Sequence, residues 1–312
     1  MSALRGNSSQ YKNFVWNSER WNGFAFRDGD IVISTPPKCG TTWMQMQCAV
    51  LLFRTPDLPA PLSQLSPWMD MNTRPLAEVH ADLEAQTHRR FIKTHTPLDG
   101  VPIVDEVRYL CVGRDPRDAA ISMLHHADNM DRIAFARLLT ADARPGDEPP
   151  KPRPDLTFEE RIDRFIDGDD FPGWNLRFLA HHYMTFWEQR GRENVALFHF
   201  DDYRRGLPAE IQRMAAHLEI EVSPERAAEL ADETDIERVR SRAADVAPEA
   251  HLGVWKDTTR FFRSGKSRQW EDEFTAEQQE RYEALVAELV PEDLAAWMHG
   301  GWAGVGRVTG GT

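Results

Sequence analysis

The run Ile31-Val-Ile-Ser-Thr-Pro-Pro-Lys-Cys-Gly-Thr-Thr-Trp43 constrains this chain more than any other stretch. Its β-branched residues read as a strand that ends at Thr35. The Pro/Gly segment breaks the strand, and a helix is expected over about Thr41 to Arg54. A strand, a tight loop holding one lysine, and a helix start together make a cradle for a phosphate. Backbone N–H groups from Lys38 through Cys39 and Gly40 to Thr42 can converge on an anion, and the helix N-terminus adds partial positive charge. Lys38 supplies mobile charge, and Thr41 and Thr42 offer hydroxyl donors. Trp43, directly behind the cradle, offers an aromatic face for a purine.

A second element repeats the logic. Arg108-Tyr-Leu-Cys-Val112 reads as a buried strand, and Gly113-Arg-Asp-Pro-Arg-Asp118 turns out of it into a helix carrying Ser122. Two basic strand-to-helix turns in one chain suggest a ligand with two separate anionic groups.

Three segments in order, Pro37-Lys-Cys-Gly-Thr-Thr-Trp43, Lys93-Thr-His-Thr-Pro97 and Arg114-Asp-Pro-Arg-Asp-Ala-Ala-Ile-Ser122, resemble the N-terminal signatures of the cytosolic-type sulfotransferases. Those enzymes use 3′-phosphoadenosine 5′-phosphosulfate (PAPS) as donor and release adenosine 3′,5′-bisphosphate (PAP). The resemblance extends from about Trp21 to Phe274 and implies the sulfotransferase version of a P-loop-like α/β fold. It makes His95 the general base, whose ordinary pKa near 6.5 suits neutral pH. Lys38 is similar to the lysine that reaches the bridging oxygen between phosphate and sulfate, and Lys93 to the one near the sulfonate. Arg114 and Ser122 match the positions that hold the 3′-phosphate, a forked donor and a hydroxyl suited to a dianion. Arg117 and Asp118 are expected to pair with each other or to cap the helix. Cys39 stands where the family commonly places serine, and is read as a small residue that fits the turn.

The C-terminal signature departs from the family pattern of phenylalanine, arginine, lysine and glycine followed by a second glycine and tryptophan. Here the run is Phe261-Phe-Arg-Ser-Gly-Lys-Ser-Arg-Gln-Trp270, in which Phe262, Arg263, Gly265 and Trp270 fit, Ser264 replaces the lysine and Arg268 the second glycine. The expectation is that Arg263, with Lys266 or Arg268 in compensation, contacts the 3′-phosphate. Phe200 occupies the place where a tyrosine commonly meets adenine, and Thr234 matches a family Ser/Thr near the base.

The wider pattern agrees with a single α/β domain over residues 1–312: a mostly parallel sheet flanked by helices, with a phosphate-binding loop after the first strand. Strands are expected near 30–35, 90–94, 108–112 and 194–200, so the motifs fall at strand carboxyl ends, where ligands of such sheets bind. Apolar residues form 41% of the chain, and ten Trp with sixteen Phe can fill a core and line an aromatic pocket. The segment 129–173, with its Pro-rich centre at 143–154, reads as a mobile lid. His181 and His182 are read as core residues of a helix. The glycine-rich end, about 300–312, reads as a flexible tail, because Gly301-Trp-Ala-Gly-Val-Gly306 lacks the strand-loop-helix context of a dinucleotide fingerprint.

The formal charge of −13 argues against a nucleic-acid partner or an anionic membrane surface. Local cations in the motif loops still permit an anionic donor. Three cysteines without CxxC spacing are read as reduced thiols, with no zinc site. No apolar leader or span is visible, so a cytoplasmic enzyme acting on a small-molecule acceptor is expected, its abundant Trp, Phe and Met favouring an apolar or aromatic alcohol. Homodimerisation stays open. A rival from another reaction class is a nucleoside or small-molecule kinase, but its loop lysine would follow a second glycine and work with Mg²⁺-binding carboxylates, whereas Lys38 precedes Gly40.

Overall fold

The computed structural model describes residues 8–140, 155–170, 173–246, 253–262 and 265–309. β1 (Ile31–Ser34) is followed by α1 (Thr41–Phe53), α2 (Leu62–Leu65) and α3 (Leu76–Ala85), then by β2 (Phe91–Thr94). β3 (Arg108–Gly113) feeds α4 (Pro116–Asn129), after which come α5 (Arg132–Thr140), α6 (Phe158–Asp167) and α7 (Leu176–Glu188). β4 (Val195–His199) runs into α8 (Phe200–His217), then α9 (Pro224–Glu233), α10 (Ile236–Ser241) and α11 (Ala243–Val246). The chain finishes in α12 (Ala276–Leu289), α13 (Glu292–Gly300) and α14 (Trp302–Thr309).

The strands form one parallel sheet in the order β2-β1-β3-β4. Side chains alternate across it, as the two-residue period of a strand requires. Val32, Ile92, Tyr109 and Cys111 enter one apolar layer with residues of α4, α6, α7 and α13, among them Leu124, Phe165, Tyr183 and Trp297. Ile31, Ile33, Phe91, Leu110 and Val112 enter the other, with Met44 and Cys48 of α1 and Ile211 of α8. Burial on both faces explains why these short strands read as continuous apolar runs. At the amino ends of the strands, a buried ion pair joins Arg90 to Asp30, with Nε 2.9 Å from Oδ1.

Two expected loops are different here. The 129–173 segment contains α5 and α6. A capping box starts α6, with the Thr157 hydroxyl accepting from the Glu160 N–H at 3.2 Å and the Glu160 carboxylate accepting from the Thr157 N–H at 2.7 Å. Its apolar face, Ile162, Phe165 and Ile166, is buried in the core. The Pro-rich centre of the expected lid lies outside the described residues. The glycine-rich end is helical over α14 rather than a flexible tail. Trp302 stacks on Trp187, its Nε1 donates to the Leu197 carbonyl at 3.1 Å, and its backbone N–H donates to Asp202 at 3.0 Å. A Cβ at Gly304 would lie 2.3 Å from the Ala296 carbonyl oxygen, so glycine is what lets α14 approach α13.

Candidate active site

The loop between β1 and α1 is shaped by two left-handed residues, Lys38 (φ 68°) and Gly40 (φ 109°). Gly40 is the N-cap of α1 and takes this conformation without a Cβ penalty. Lys38 adopts it at a cost and is held there by a hydrogen bond from Arg114 Nη1 to its carbonyl at 3.2 Å. Cys39 is buried, its Sγ 3.1 Å from the Tyr183 hydroxyl, and burial pushes its thiol up to about 12. Its side chain packs beneath the loop against Tyr183. Thr41 shares a short hydroxyl contact with Thr35, and Thr42 is buried beside it.

Lys38, Lys93 and His95 converge where β1 and β2 end. The His95 Nδ1 lies 2.6 Å from the Thr35 carbonyl, so this nitrogen carries the proton and Nε2 keeps its lone pair. Burial, with Lys93 beside it, holds His95 well below the usual histidine range, which makes the ring neutral at neutral pH. Trp68 packs edge-to-face on His95 with centroids 4.5 Å apart, and the Lys93 ammonium sits 3.9 Å above the same indole. Asp70, fully buried, accepts from Trp68 Nε1 at 2.6 Å and from the hydroxyls of Thr94 and Thr96, tying the Trp68 segment to the end of β2. Burial and the positive neighbours Arg114 and Lys93 bring Lys38 down to about 7. Its Nζ lies 3.3 Å from His126 Nδ1 and 4.2 Å above the Phe261 ring.

Arg114 organises the second turn. Its Nη2 donates to the Lys266 carbonyl at 2.9 Å, its guanidinium lies 4.5 Å above the Phe200 ring, and its backbone N–H donates to the Tyr183 hydroxyl at 2.9 Å. The Arg114 Nε is buried and has no hydrogen-bond partner among the described residues. Ser122 is half-buried on α4. Asp115 caps that helix and also forms the ion pair with Arg117, Nη2 to Oδ2 2.6 Å. The expected Arg117–Asp118 pairing is therefore not formed. Asp118 instead accepts the backbone N–H groups of Arg268 and Gln269, each at 2.7 Å, and so pins the C-terminal segment.

That segment is only partly described. Arg263 and Ser264 lie outside the described residues. Arg268, proposed as a substitute cation, turns its 74% exposed side chain to Glu271, with Nε 2.7 Å from Oε1. Lys266 offers its carbonyl to Arg114, and Gly265 (φ 61°) packs under Ile236. Phe262 is nearly buried and its carbonyl accepts from Arg240 at 2.6 Å. Trp43 is also buried, edge-to-face with Phe200 and Tyr203, and its Nε1 donates to the Thr234 carbonyl at 2.8 Å. The indole is thus part of the wall behind the cradle. The Thr234 hydroxyl bonds to Leu230 one turn back.

His126, Trp68, Asp70 and Tyr183 were missed by sequence reasoning. His126 could have been found, because it lies one helical turn beyond Ser122 and shares its face. A cavity of about 1000 Å³ begins at Trp68 and Lys93 and extends along α1, α2 and α3, past Leu62, Leu65 and Phe53 to Arg74 and Asp82. Among the described residues no helix is long and apolar enough to cross a membrane, and no cluster of three His, Cys, Asp or Glu side chains could hold a metal ion.

Comparison with known proteins bears on the family and the fold. The sulfotransferase domain family matches residues 28–298. A glycolipid sulfotransferase of Mycobacterium bovis is 41% identical over 311 residues, which covers 94% of this chain and 95% of the relative. A rabbit amine sulfotransferase is 20% identical over 86% of this chain and 83% of its own length. Among solved structures, retinol dehydratase in complex with androsterone and PAP superposes with a TM-score of 0.70 at 22% identity, covering 88% of this chain and 84% of that one. A mouse sulfotransferase complexed with PAP gives 0.68 at 20% identity, covering 93% and 95%.

Proposed function

The chain belongs to the sulfotransferase family, a PAPS-dependent class of transferases, and from that premise we propose that it sulfonates a hydroxyl of an amphiphilic, glycolipid-like acceptor with His95 as general base. The observation that carries the base assignment is the bond between His95 Nδ1 and the Thr35 carbonyl, which leaves Nε2 as a lone pair beside Lys93. The donor fits the residues present, since the buried Arg114 Nε has no hydrogen-bond partner among the described residues and its guanidinium stands beside the aromatic ring of Phe200. Arg114 and Ser122 would hold the 3′-phosphate, with Phe200 and Trp43 walling the base and the Lys38–Thr42 backbone on the 5′-phosphate. PAPS supplies the sulfonate and a phosphate leaving group. His95 takes the acceptor hydroxyl proton at Nε2 as the oxygen bonds to sulfur, and Lys38 and Lys93 offset negative charge on the phosphate oxygen released and on the sulfonate.

The acceptor proposal rests on the cavity that opens beside Trp68 and Lys93, large enough for more than a simple phenol and mixed in character, with apolar Leu62, Leu65 and Phe53 near polar Arg74 and Asp82. The mycobacterial relatives described as glycolipid sulfotransferases support the same class.

The test uses PAPS labelled in the sulfonate with a lipid-bearing glycoside, the corresponding free sugar and a phenol as acceptors. His95→Gln is expected to lower kcat by about 10²–10⁴-fold and leave PAP affinity unchanged. Loss of PAP affinity in proportion to rate would make His95 a binding or structural residue. Equal kcat/KM for the glycoside and the free sugar would show that the cavity does not take the lipid part.

A further inference from the structure

Lys38 does not stand alone at the reaction centre. It is met by His126, which α4 presents one turn beyond Ser122, and by an aromatic wall from the segment before the C-terminal loop. The His126 ring packs on Trp255 with centroids 4.7 Å apart and on Phe261 at 5.6 Å, and those two rings pack on each other at 5.3 Å. Phe261 also lies under the Lys38 ammonium. The imidazole therefore cannot swing freely, and its Nδ1 is fixed toward Nζ at 3.3 Å.

We propose that His126 is a positioning residue for Lys38: its Nδ1 accepts a hydrogen bond from the Lys38 ammonium, which keeps that lysine protonated and aimed at the anion cradle. The proposal rests on the reading of Lys38 as the lysine that serves the leaving phosphate.

Three observations make such a partner necessary. Of the charged groups beside Lys38, Arg114 from the turn after β3 and Lys93 from the end of β2 oppose its protonation, and Cys39, from its own loop, favours it. The Cys39 thiol is itself held protonated by burial, so it provides no anion. His126, faced by Lys38, Lys93 and the neutral His95, is kept neutral by burial and by the two lysines, which leaves it a ring nitrogen to accept with. A neutral acceptor adds no competing charge to a site that must receive an anionic donor. A carboxylate in the same place would bind Lys38 more strongly but would repel the phosphates.

The sign is fixed by the direction of the shift. Lys38 titrates near 7, far below an ordinary lysine, so its positive charge is present below that pH and is lost as pH rises through it. Removing an acceptor that favours the charged form lowers the midpoint further. A hydrogen bond to a charged group corresponds to about one pKa unit.

The experiment measures the pH dependence of Lys38 labelling by a limiting amine-acylating reagent, read by mass spectrometry in the full-length protein without ligands. His126→Phe keeps the aromatic packing and removes the acceptor, and His126→Asn places an amide oxygen near the Nδ1 position. The labelling midpoint is expected to fall by about one unit in His126→Phe and to return toward the wild-type value in His126→Asn. The alkaline limb of kcat should move with it, whereas a merely structural residue would lower kcat at all pH values. Should His126→Phe unfold, His126→Ala serves the same comparison, with thermal unfolding confirming the folded state. An unchanged midpoint in a folded variant lacking the acceptor overturns the proposal. Because labelling needs neither PAPS nor acceptor, that failure would leave the sulfonyl-transfer reading standing, and loss of the latter would show instead in the acceptor assays.

Discussion

At the residue scale, the site depends on side chains whose charge is set by burial. His95 is kept neutral, Cys39 is kept protonated, and the Lys38 ammonium is brought down to a pKa of about 7. Cationic residues that merely lie near in sequence are a different matter. Arg268 illustrates this: its backbone N–H is held by Asp118, while its guanidinium leaves for Glu271 on the surface. An exposed pair of this kind contributes about 0–1 kcal/mol. Arg268→Ala should therefore leave PAP affinity and thermal stability close to wild type. Asp118→Ala removes the acceptor of two backbone N–H groups and should loosen the segment whose Lys266 carbonyl restrains Arg114. Its PAP affinity should fall by about tenfold, the worth of a charge-assisted hydrogen bond. Titration calorimetry of both variants checks the contrast, and a larger loss in Arg268→Ala than in Asp118→Ala would restore the guanidinium as a donor-binding group. Sequence spacing alone could not separate these two, because it shows that a cation is nearby but not which way its side chain turns.

At the scale of elements, the sheet and the motif turns were legible because their signals are local. An apolar run, a proline or glycine and a helix start appear in order at both β1–α1 and β3–α4, and Asp115-Pro116 announces the start of α4. In the 129–173 segment α6 went unread for a compositional reason. The segment's Pro-rich centre outweighed a readable helix start, Thr157 with Glu160, ahead of Ile162, Phe165 and Ile166 at helical spacing. α14 was hidden more deeply, since its glycines lower helix propensity and its order comes from Trp302 locking onto Trp187, Leu197 and Asp202. Such long-range partners have no local signature, and the same holds for Tyr183 and Asp70. The Asp30–Arg90 pair shows what these contacts are worth. It lies at the strand ends opposite the site, with both side chains almost fully buried. Asp30→Ala would leave an uncompensated guanidinium there and should destabilise the fold by about 3–5 kcal/mol. Urea unfolding monitored by far-UV circular dichroism measures it, and a loss below 1 kcal/mol would mean that Glu84, 3.2 Å from Arg90 Nη1, suffices as partner.

For the molecule as a whole, an acidic chain must hold an anionic donor, and the fold resolves this by concentrating cations at one edge of the sheet. Lys38 follows β1, Lys93 ends β2, and Arg114 follows β3, while the net charge of −13 is spread over the rest. The Lys266 carbonyl joins this edge to the C-terminal segment through Arg114, so a ligand that bridges the turns joins elements far apart in sequence. Binding of PAP to the native state alone should then stabilise the entire domain, not one loop. At a free concentration of about 100 times Kd the gain is about 2.7 kcal/mol. For a chain of this size that raises the unfolding midpoint by a few degrees, on the order of 1–2 °C per kcal/mol. Adenosine 5′-monophosphate at the same concentration should give a smaller shift, because it engages the β1 loop and leaves Arg114 and Ser122 without their phosphate. Differential scanning calorimetry with each nucleotide tests this. Equal shifts would show that the β3 turn does not read the 3′-phosphate, and no shift with PAP would remove the donor site from this edge of the sheet.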